Sequence, residues 1–388
     1  MGRMKIIVIG AGHAGVEAAA AARQAGADVV LFSDERSLPY FRPRLPSVAF
    51  GQLAPEGIAI HPSDWYAAQG IDLRLDASVR AIDPIRRTVR SSAGTEAYDA
   101  LVLAAGAVPL TPAIEGLTPD LPLHTLWSQA DAARLRAQAS PGRHLVVVGG
   151  GILGLEAALR AREANLEVTV VERMSRLMPL QFGTDGSTVI QRTLESIGVA
   201  VLTDANLMAV GRHGEGVRLT LANREPLQAD LMLLAIGARP NLALARAAGL
   251  KTDQGICVDE HLQTSAPLVL AAGDAAQMGA VPRCSVRSAT TQGRLAGANA
   301  AAAAAGTPLQ DDDNREYPVF FKSRELELYA IGKTVSDLLT ESRLDDGAQP
   351  RRYRAVVKKG PAVVGVQMIG TREGFDSLAS QLEMLRDA

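Results

Sequence analysis

Apolar residues in this chain gather in short unbroken runs, each closed by glycine and followed by a longer stretch of helical period. KIIVIG, residues 5–10, is the first. A run of that length, rich in β-branched residues and without polar alternation, predicts a strand covered on both faces. The helical stretch VEAAAAARQAG then stops at Gly26, and ADVVLF, residues 27–32, predicts the next strand. The same order returns over residues 145–172: the strand LVVV, a glycine turn, the helical LEAALRAREAN and the strand EVTVVE. Three more runs end in small-residue turns: YDALVLAAGAVP at 98–109, LLAIGARPN at 233–241 and VLAAGDAA at 269–276. A long helix is predicted after residue 285, in SVRSATTQGRLAGANAAAAAAG, with Ala300–Ala305 as filler before a stop at Gly306. AVVKKGPAVVGVQMIG reads as a hairpin turning at Lys359-Gly360-Pro361. Strand–helix–strand units in this order predict an α/β fold with parallel sheets.

The glycine turns carry chemistry. Gly10, Gly12 and Gly15 form a GxGxxG between strand and helix, with His13 and Ala14 inside it and Asp34-Glu35 at the end of the next strand. The first glycine permits the tight turn, the second lets a diphosphate approach the backbone, and the third lets helix and strand pack closely. The helix start offers unpaired N–H groups and the positive end of its dipole. Glu35 is the preferred acceptor for the adenosine ribose hydroxyls, and His13 is read as a tolerated variable position. Gly149, Gly151 and Gly154 repeat the turn, with Ile152 inside and Glu172 at the acidic end. A carboxylate there accepts the ribose hydroxyls of NADH and repels the 2′-phosphate of NADPH, an effect that Arg173 and Arg176 would temper. One GxGxxG alone is a weak signal; two, each with strand, helix and acidic end, mean two dinucleotides.

Composition narrows the classes. The chain has 388 residues, enough for two or three domains. With 40 basic and 42 acidic residues the net charge is −2, so no global field favours nucleic acid. Asp311-Asp312-Asp313 reads as a solvated linker. The N-terminal apolar run is too short for a signal peptide, and no window approaches the roughly 20 apolar residues of a membrane helix. Cys257 and Cys284 are far apart in sequence and provide neither a disulfide framework nor zinc spacing. No metal site is expected, and both cysteines read as buried small hydrophobes. The expectation is a cytoplasmic protein without nucleic-acid or membrane partners.

On these motifs the chain resembles, over essentially its whole length, the two-dinucleotide flavoproteins of the FAD-dependent pyridine nucleotide-disulfide oxidoreductase superfamily. The resemblance implies two Rossmann-like (glutathione-reductase-type) dinucleotide-binding domains plus a small C-terminal α/β interface domain. Residues 1–112 and 243–310 would form the FAD domain, 113–242 the NADH domain and 311–388 the interface domain. FAD would lie on Gly10, Gly12, His13, Ala14, Gly15 and Glu35. Arg42, Pro43, Val79, Ala105, Gly106 and Gly273 would also reach it, and Asp274 would bond its ribityl chain. NADH, in preference to NADPH, would lie on Gly149, Gly151, Ile152, Gly154, Glu172 and Gly237. The helix after residue 285 would aim its positive end at the flavin ring.

The branch follows from what stands beside these motifs. No cysteine precedes Cys257, so the redox pair of the disulfide reductases and the single cysteine of the persulfide reductases are both missing, and all six histidines lie at or before His261. PYFRPRL, residues 39–45, resembles the flavin segment of rubredoxin and ferredoxin reductases. HPSDWYAAQGI, residues 61–71, and YPVFFK, residues 317–322, are similar to the flavin portion of NADH-dependent nitrite reductases. The resemblance puts Lys322 at the flavin pyrimidine edge, and Glu156, Lys322 and Arg42 act as electrostatic tuning residues. Relatives carry a lysine after the Leu45 position that pairs with a glutamate matching Glu156. Here Pro46 and Ser47 stand there, so Glu156 is expected to pair with Arg42 or Arg44. The implied reaction is hydride transfer from NADH to the flavin, then electron delivery to a small redox carrier protein of rubredoxin or ferredoxin type. Arg351, Arg352 and Arg354 with Lys358 and Lys359 would dock an acidic carrier. An NADH oxidase or quinone/dye reductase would differ only in acceptor, and a regulatory flavin- and NADH-binding subunit would not turn over. A monomer or a homodimer is expected.

Overall fold

The computed structural model describes residues 3–280, 282, 284–313, 315–334, 339–345 and 352–382. Its internal contacts divide the chain into two units, one of Met1–Arg42, Pro55–Val108 and Ala238–Tyr317, the other of Pro43–Ala54, Pro109–Gly237 and Pro318–Ala388.

The first unit is built on a parallel sheet in the order Val269–Ala271, Ala100–Leu103, Lys5–Ile9, Asp28–Phe32, Ile71–Arg74. Ile6 and Val8 join one core and Ile7 and Ile9 another, the two-residue period of a strand covered on both faces. The first core also takes residues of the helices His13–Gln24 and Val286–Ala305. The second takes residues of an antiparallel meander, Val79–Asp83, Thr88–Ser91 and Gly94–Ala97, which the apolar pattern did not predict.

The long helix has the predicted ends. Ser285 Oγ accepts from Ser288 N at 3.1 Å, and Gly306 closes the helix in the left-handed region. Its packing was not foreseen. A Cβ at Gly293 would overlap the carbonyl oxygen of Ala14, and one at Gly297 that of Ala18, so two glycines four residues apart let this helix meet the backbone of the helix His13–Gln24. The signal was present as GRLAG, residues 293–297, just before the Ala300–Ala305 run read as filler.

The second unit repeats the parallel plan in the order Val199–Leu202, Glu167–Val171, His144–Val148, Leu231–Leu234, Leu123–His124. The helix Ile152–Glu163 follows the second glycine turn, and Thr184–Ser196 connects the next two strands. The C-terminal part is an antiparallel sheet in the order Val319–Lys322, Glu327–Gly332, Ala362–Ile369, Arg352–Lys359, Leu339–Asp345. Its hairpin turns at Gly360 as predicted. Buried Gln367 of this sheet accepts the N–H of Gly183, the cap of the helix Thr184–Ser196, at 2.9 Å. Arg352, Arg354 and Lys359 are exposed, whereas Arg351 lies outside the described residues.

Two expectations are corrected. The acidic run is more than a solvated linker: Asp311 Oδ1 lies 3.0 Å from His261 Nδ1, and the Asp312 N–H donates to Glu260 O at 2.7 Å. The cysteines are not core residues either. Cys257 is half-buried, and Cys284 is exposed on the segment just before the cap of the long helix.

Candidate functional site

In the first unit the glycine turn has a closed side and an open side. Gly10 sits at φ +99°, and a Cβ there would overlap Ala104 O and lie 3.2 Å from Ala105 Cα. A Cβ at Gly15 would overlap Gly10 O. Both obstacles are backbone, so neither position tolerates a side chain without displacing the turn. Around Gly12 the reverse holds: nothing lies within 4 Å of where its Cβ would be. This is the open side, and the helix His13–Gln24 begins on it with no side-chain cap, leaving its first N–H groups for a ligand.

Other strand ends converge on that turn. Gly106 (φ +63°) follows the strand Ala100–Leu103, and Gly273 (φ +71°) follows Val269–Ala271. A Cβ at Gly273 would come within 2.8 Å of Ala14 Cβ. The Gly273 N–H is held at 3.0 Å by Gln292 Oε1 from the long helix. Asp274 comes next, and its Oδ1 is buried with no hydrogen-bond partner. Burial pushes its carboxyl up to about 6, against the pull of the Arg42 guanidinium. His13 Nε2 is likewise buried and unpartnered. Burial and then the Arg42 charge lower that imidazole to about 4, with Glu17 opposing, and the ring stands edge-on to Phe41 at 5.0 Å. Val79 lies in the core with Ile9 and Phe32.

Glu35 is engaged by a clasp that sequence reading missed. Tyr40 donates its hydroxyl to Glu35 Oε2 at 2.8 Å, and Arg42 Nη2 donates to Glu35 Oε1 at 3.0 Å. Arg42 Nη1 also donates to the Tyr40 oxygen at 3.0 Å. The spacing EXXXXYXR, with one carboxylate between a hydroxyl and a guanidinium, was the signal available. This corrects the pairing expected of Glu156. Arg42 turns to Glu35, and Glu156, on the helix Ile152–Glu163, makes no hydrogen bond or ion pair among the described residues of its own unit. Burial pushes the Glu156 carboxyl up to about 7, opposed by Arg160 one turn on. Pro43 and Lys322 belong to the second unit. Lys322 is exposed and faces Glu327 across the hairpin at 3.3 Å.

The second unit carries the same turn. Gly149 sits at φ +116°, and a Cβ there would overlap Ala235 O; one at Gly154 would overlap Gly149 O. Gly151, like Gly12, has open space around it. Gly237 (φ +112°) closes the rim, its carbonyl accepting from Leu110 N at 3.0 Å. Ile152 opens the helix with its side chain partly exposed. Glu172 is buried and accepts the N–H groups of Gly150 at 2.6 Å and Met174 at 2.7 Å.

An unpartnered buried carboxylate oxygen is costly unless a ligand hydroxyl satisfies it. An uncapped helix start beside an open glycine suits a diphosphate. The first turn therefore fits a hydroxyl-bearing dinucleotide such as FAD, and its repetition defines a two-dinucleotide redox protein.

Comparison with known proteins agrees with this class. Residues 4–305 match the family model described as pyridine nucleotide-disulphide oxidoreductase. The epsilon subunit of the NADH-dependent phenylglyoxylate dehydrogenase of Aromatoleum evansii is 32% identical over 76% of this chain and 71% of its own length. The ferredoxin–NAD(+) reductase component of the biphenyl dioxygenase system of Paraburkholderia xenovorans (strain LB400) is 38% identical over 70% of this chain and 67% of its own. The covalent putidaredoxin reductase–putidaredoxin complex contains a chain that superposes with a TM-score of 0.86 at 29% identity, covering 97% of this chain and 92% of that one. The chain belongs to the pyridine nucleotide-disulphide oxidoreductase family. It is an FAD-dependent NAD(P)H oxidoreductase. Among the described residues no helix is long and apolar enough to cross a membrane.

Proposed function

We propose that the first turn holds FAD, that the second admits NADH, and that the protein passes electrons from NADH through the flavin to a small redox carrier protein. The observation that carries the reading is the pair of matched turns, each open at its middle glycine, with the unpartnered Asp274 oxygen beside the first. FAD, when bound, takes a hydride from NADH and releases electrons one at a time.

The chain's own residues position and tune. The N–H groups from Gly12 onward receive the FAD diphosphate. Asp274 accepts from a ribityl hydroxyl, which restores the hydrogen bond its buried oxygen lacks. Glu35 receives the adenosine ribose within its Tyr40–Arg42 clasp. On the second turn Gly149, Gly151, Ile152, Gly154 and Gly237 shape the NADH seat, and Glu172 marks its ribose end and disfavours NADPH. Holding the two rings together supplies most of the acceleration, because hydride transfer between aligned rings needs no side-chain acid. Glu156 holds a proton through part of the neutral range.

Residues 1–112 with 243–310, 113–242 and 311–388 are the FAD, NADH and interface domains of this reading. It describes a cytoplasmic monomer or homodimer. The carrier is supported by the named partners of two relatives, ferredoxin and putidaredoxin. The epsilon-subunit relative supports a second reading, an NADH-oxidising subunit that hands electrons to a larger assembly. Anaerobic mixing of the NADH-reduced protein with a ferredoxin and with a rubredoxin tests the first. Carrier reduction at turnover rates supports it. A reduced flavin that neither carrier reoxidises, while oxygen or a quinone does, contradicts it.

A further inference from the structure

Asp274 is carried by a short segment that buried glutamines fasten at both ends. The segment follows the strand Val269–Ala271 and opens with a single tight turn over Gly273–Ala275, closed by the Ala276 N–H donating to Gly273 O. Gln277 ties down the far end. Its Oε1 accepts the Gly255 N–H at 2.7 Å, and its Nε2 donates to Asp253 Oδ2 at 3.1 Å and to Gly279 O at 3.2 Å. The near end is held from farther along the chain. Gln292, on the long helix Val286–Ala305, accepts the buried Gly273 N–H at 3.0 Å with its Oε1. The helix has no slack at that point, because the adjoining Gly293 is pressed against the backbone of Ala14. Gly273 is also crowded by Ala14 and Ala289, whose Cβ atoms would lie 2.8 Å and 3.5 Å from a Cβ placed on it. Between the two glutamines, Asp274 Oδ1 is buried and takes no hydrogen bond, so the turn beneath it decides where that oxygen points.

We infer that Gln292 is a positioning residue for FAD: by holding the Gly273 N–H it fixes the turn that aims the Asp274 carboxylate, and so lets the long helix set the seat of the ribityl chain. The inference rests on the reading that Asp274 meets a ribityl hydroxyl. Removing the Gln292 acceptor strands a buried N–H, which the turn relieves by rotating toward another partner or water, and that rotation carries Asp274 with it. The loss of FAD affinity therefore runs through Asp274. A glutamine that merely stabilised the fold would, on removal, lower FAD affinity by the same factor whether or not the Asp274 carboxylate was present.

The test is a double-mutant cycle on FAD binding, in which the flavin-free protein and its variants are titrated with FAD and followed by flavin fluorescence. Gln292→Met, close to glutamine in length but without the acceptor, should raise the FAD Kd about tenfold. Combined with Asp274→Asn, it should add no more than about threefold to the effect of Asp274→Asn alone. Gln292→Glu, which keeps an acceptor at the same reach, should recover most of the affinity. Should Gln292→Met fail to fold, Gln292→Asn, whose amide is too short to reach Gly273, takes its place in the cycle. Equal losses with and without Asp274→Asn, or a Gln292→Met protein that binds FAD as tightly as the parent, overturn the inference. If Asp274→Asn alone leaves FAD affinity unchanged, the ribityl assignment fails and the inference falls with it.

Discussion

Replacing Asp274 by asparagine should stabilise the flavin-free protein and weaken flavin binding in the same variant. Burial raises the Asp274 carboxyl from 3.8 to about 6, so the native state resists its ionisation. A group whose pKa is raised on folding favours the native state most at low pH, and that advantage fades as pH climbs through the raised value. Between 3.8 and about 6 the flavin-free protein therefore loses stability, ~3 kcal/mol in all, and above that range the loss is constant. Asparagine carries no charge to bury. Urea denaturation of the flavin-free proteins should show Asp274→Asn more stable by up to ~3 kcal/mol at pH 8 and about equal to the parent near pH 3.5. FAD affinity, followed by flavin fluorescence, should fall about tenfold or more, the value of one charge-assisted hydrogen bond. An Asp274→Asn protein that is less stable than the parent at pH 8, or that binds FAD as tightly, would refute the reasoning.

The other expectations concern both units. Gly154→Ala, whose methyl would overlap Gly149 O, should leave the flavin spectrum intact and slow flavin reduction by NADH at least a hundredfold, measured by anaerobic stopped flow. With burial holding the Glu156 carboxyl near 7, the parent's rate of flavin reduction should change across pH 6–8, while Glu156→Gln should give a flat profile. Gln367→Leu removes the acceptor of the Gly183 N–H and should cost about 1–3 kcal/mol of stability in denaturant without altering the flavin spectrum.

What could be read from the sequence was what local geometry dictates. A strand, a turn needing glycine at φ near +100° and a helix pressed against the strand leave their mark within thirty residues, and both turns were legible for that reason. The Gly-Asp turn at Gly273-Asp274 was legible only through resemblance, because the partner that explains it is a ligand. Three features depend on residues brought together by packing: the clasp on Glu35, the glycine pair against Ala14 and Ala18, and the hold of Glu172 on Gly150. The pairing expected of Glu156 was not legible because Arg42 pairs with Glu35 inside its own unit, and Glu156 makes no hydrogen bond or ion pair among the described residues of its unit. The cysteines were misjudged because general cysteine burial says nothing about a residue just before a helix cap.

The central claim is that two dinucleotide sites work in sequence. Its most direct test is anaerobic titration of the purified FAD-loaded protein with NADH and, separately, with NADPH, followed by visible absorbance. The account predicts that one equivalent of NADH bleaches the flavin and that NADPH does so far more slowly. A yellow protein that keeps its colour with either nucleotide would contradict it.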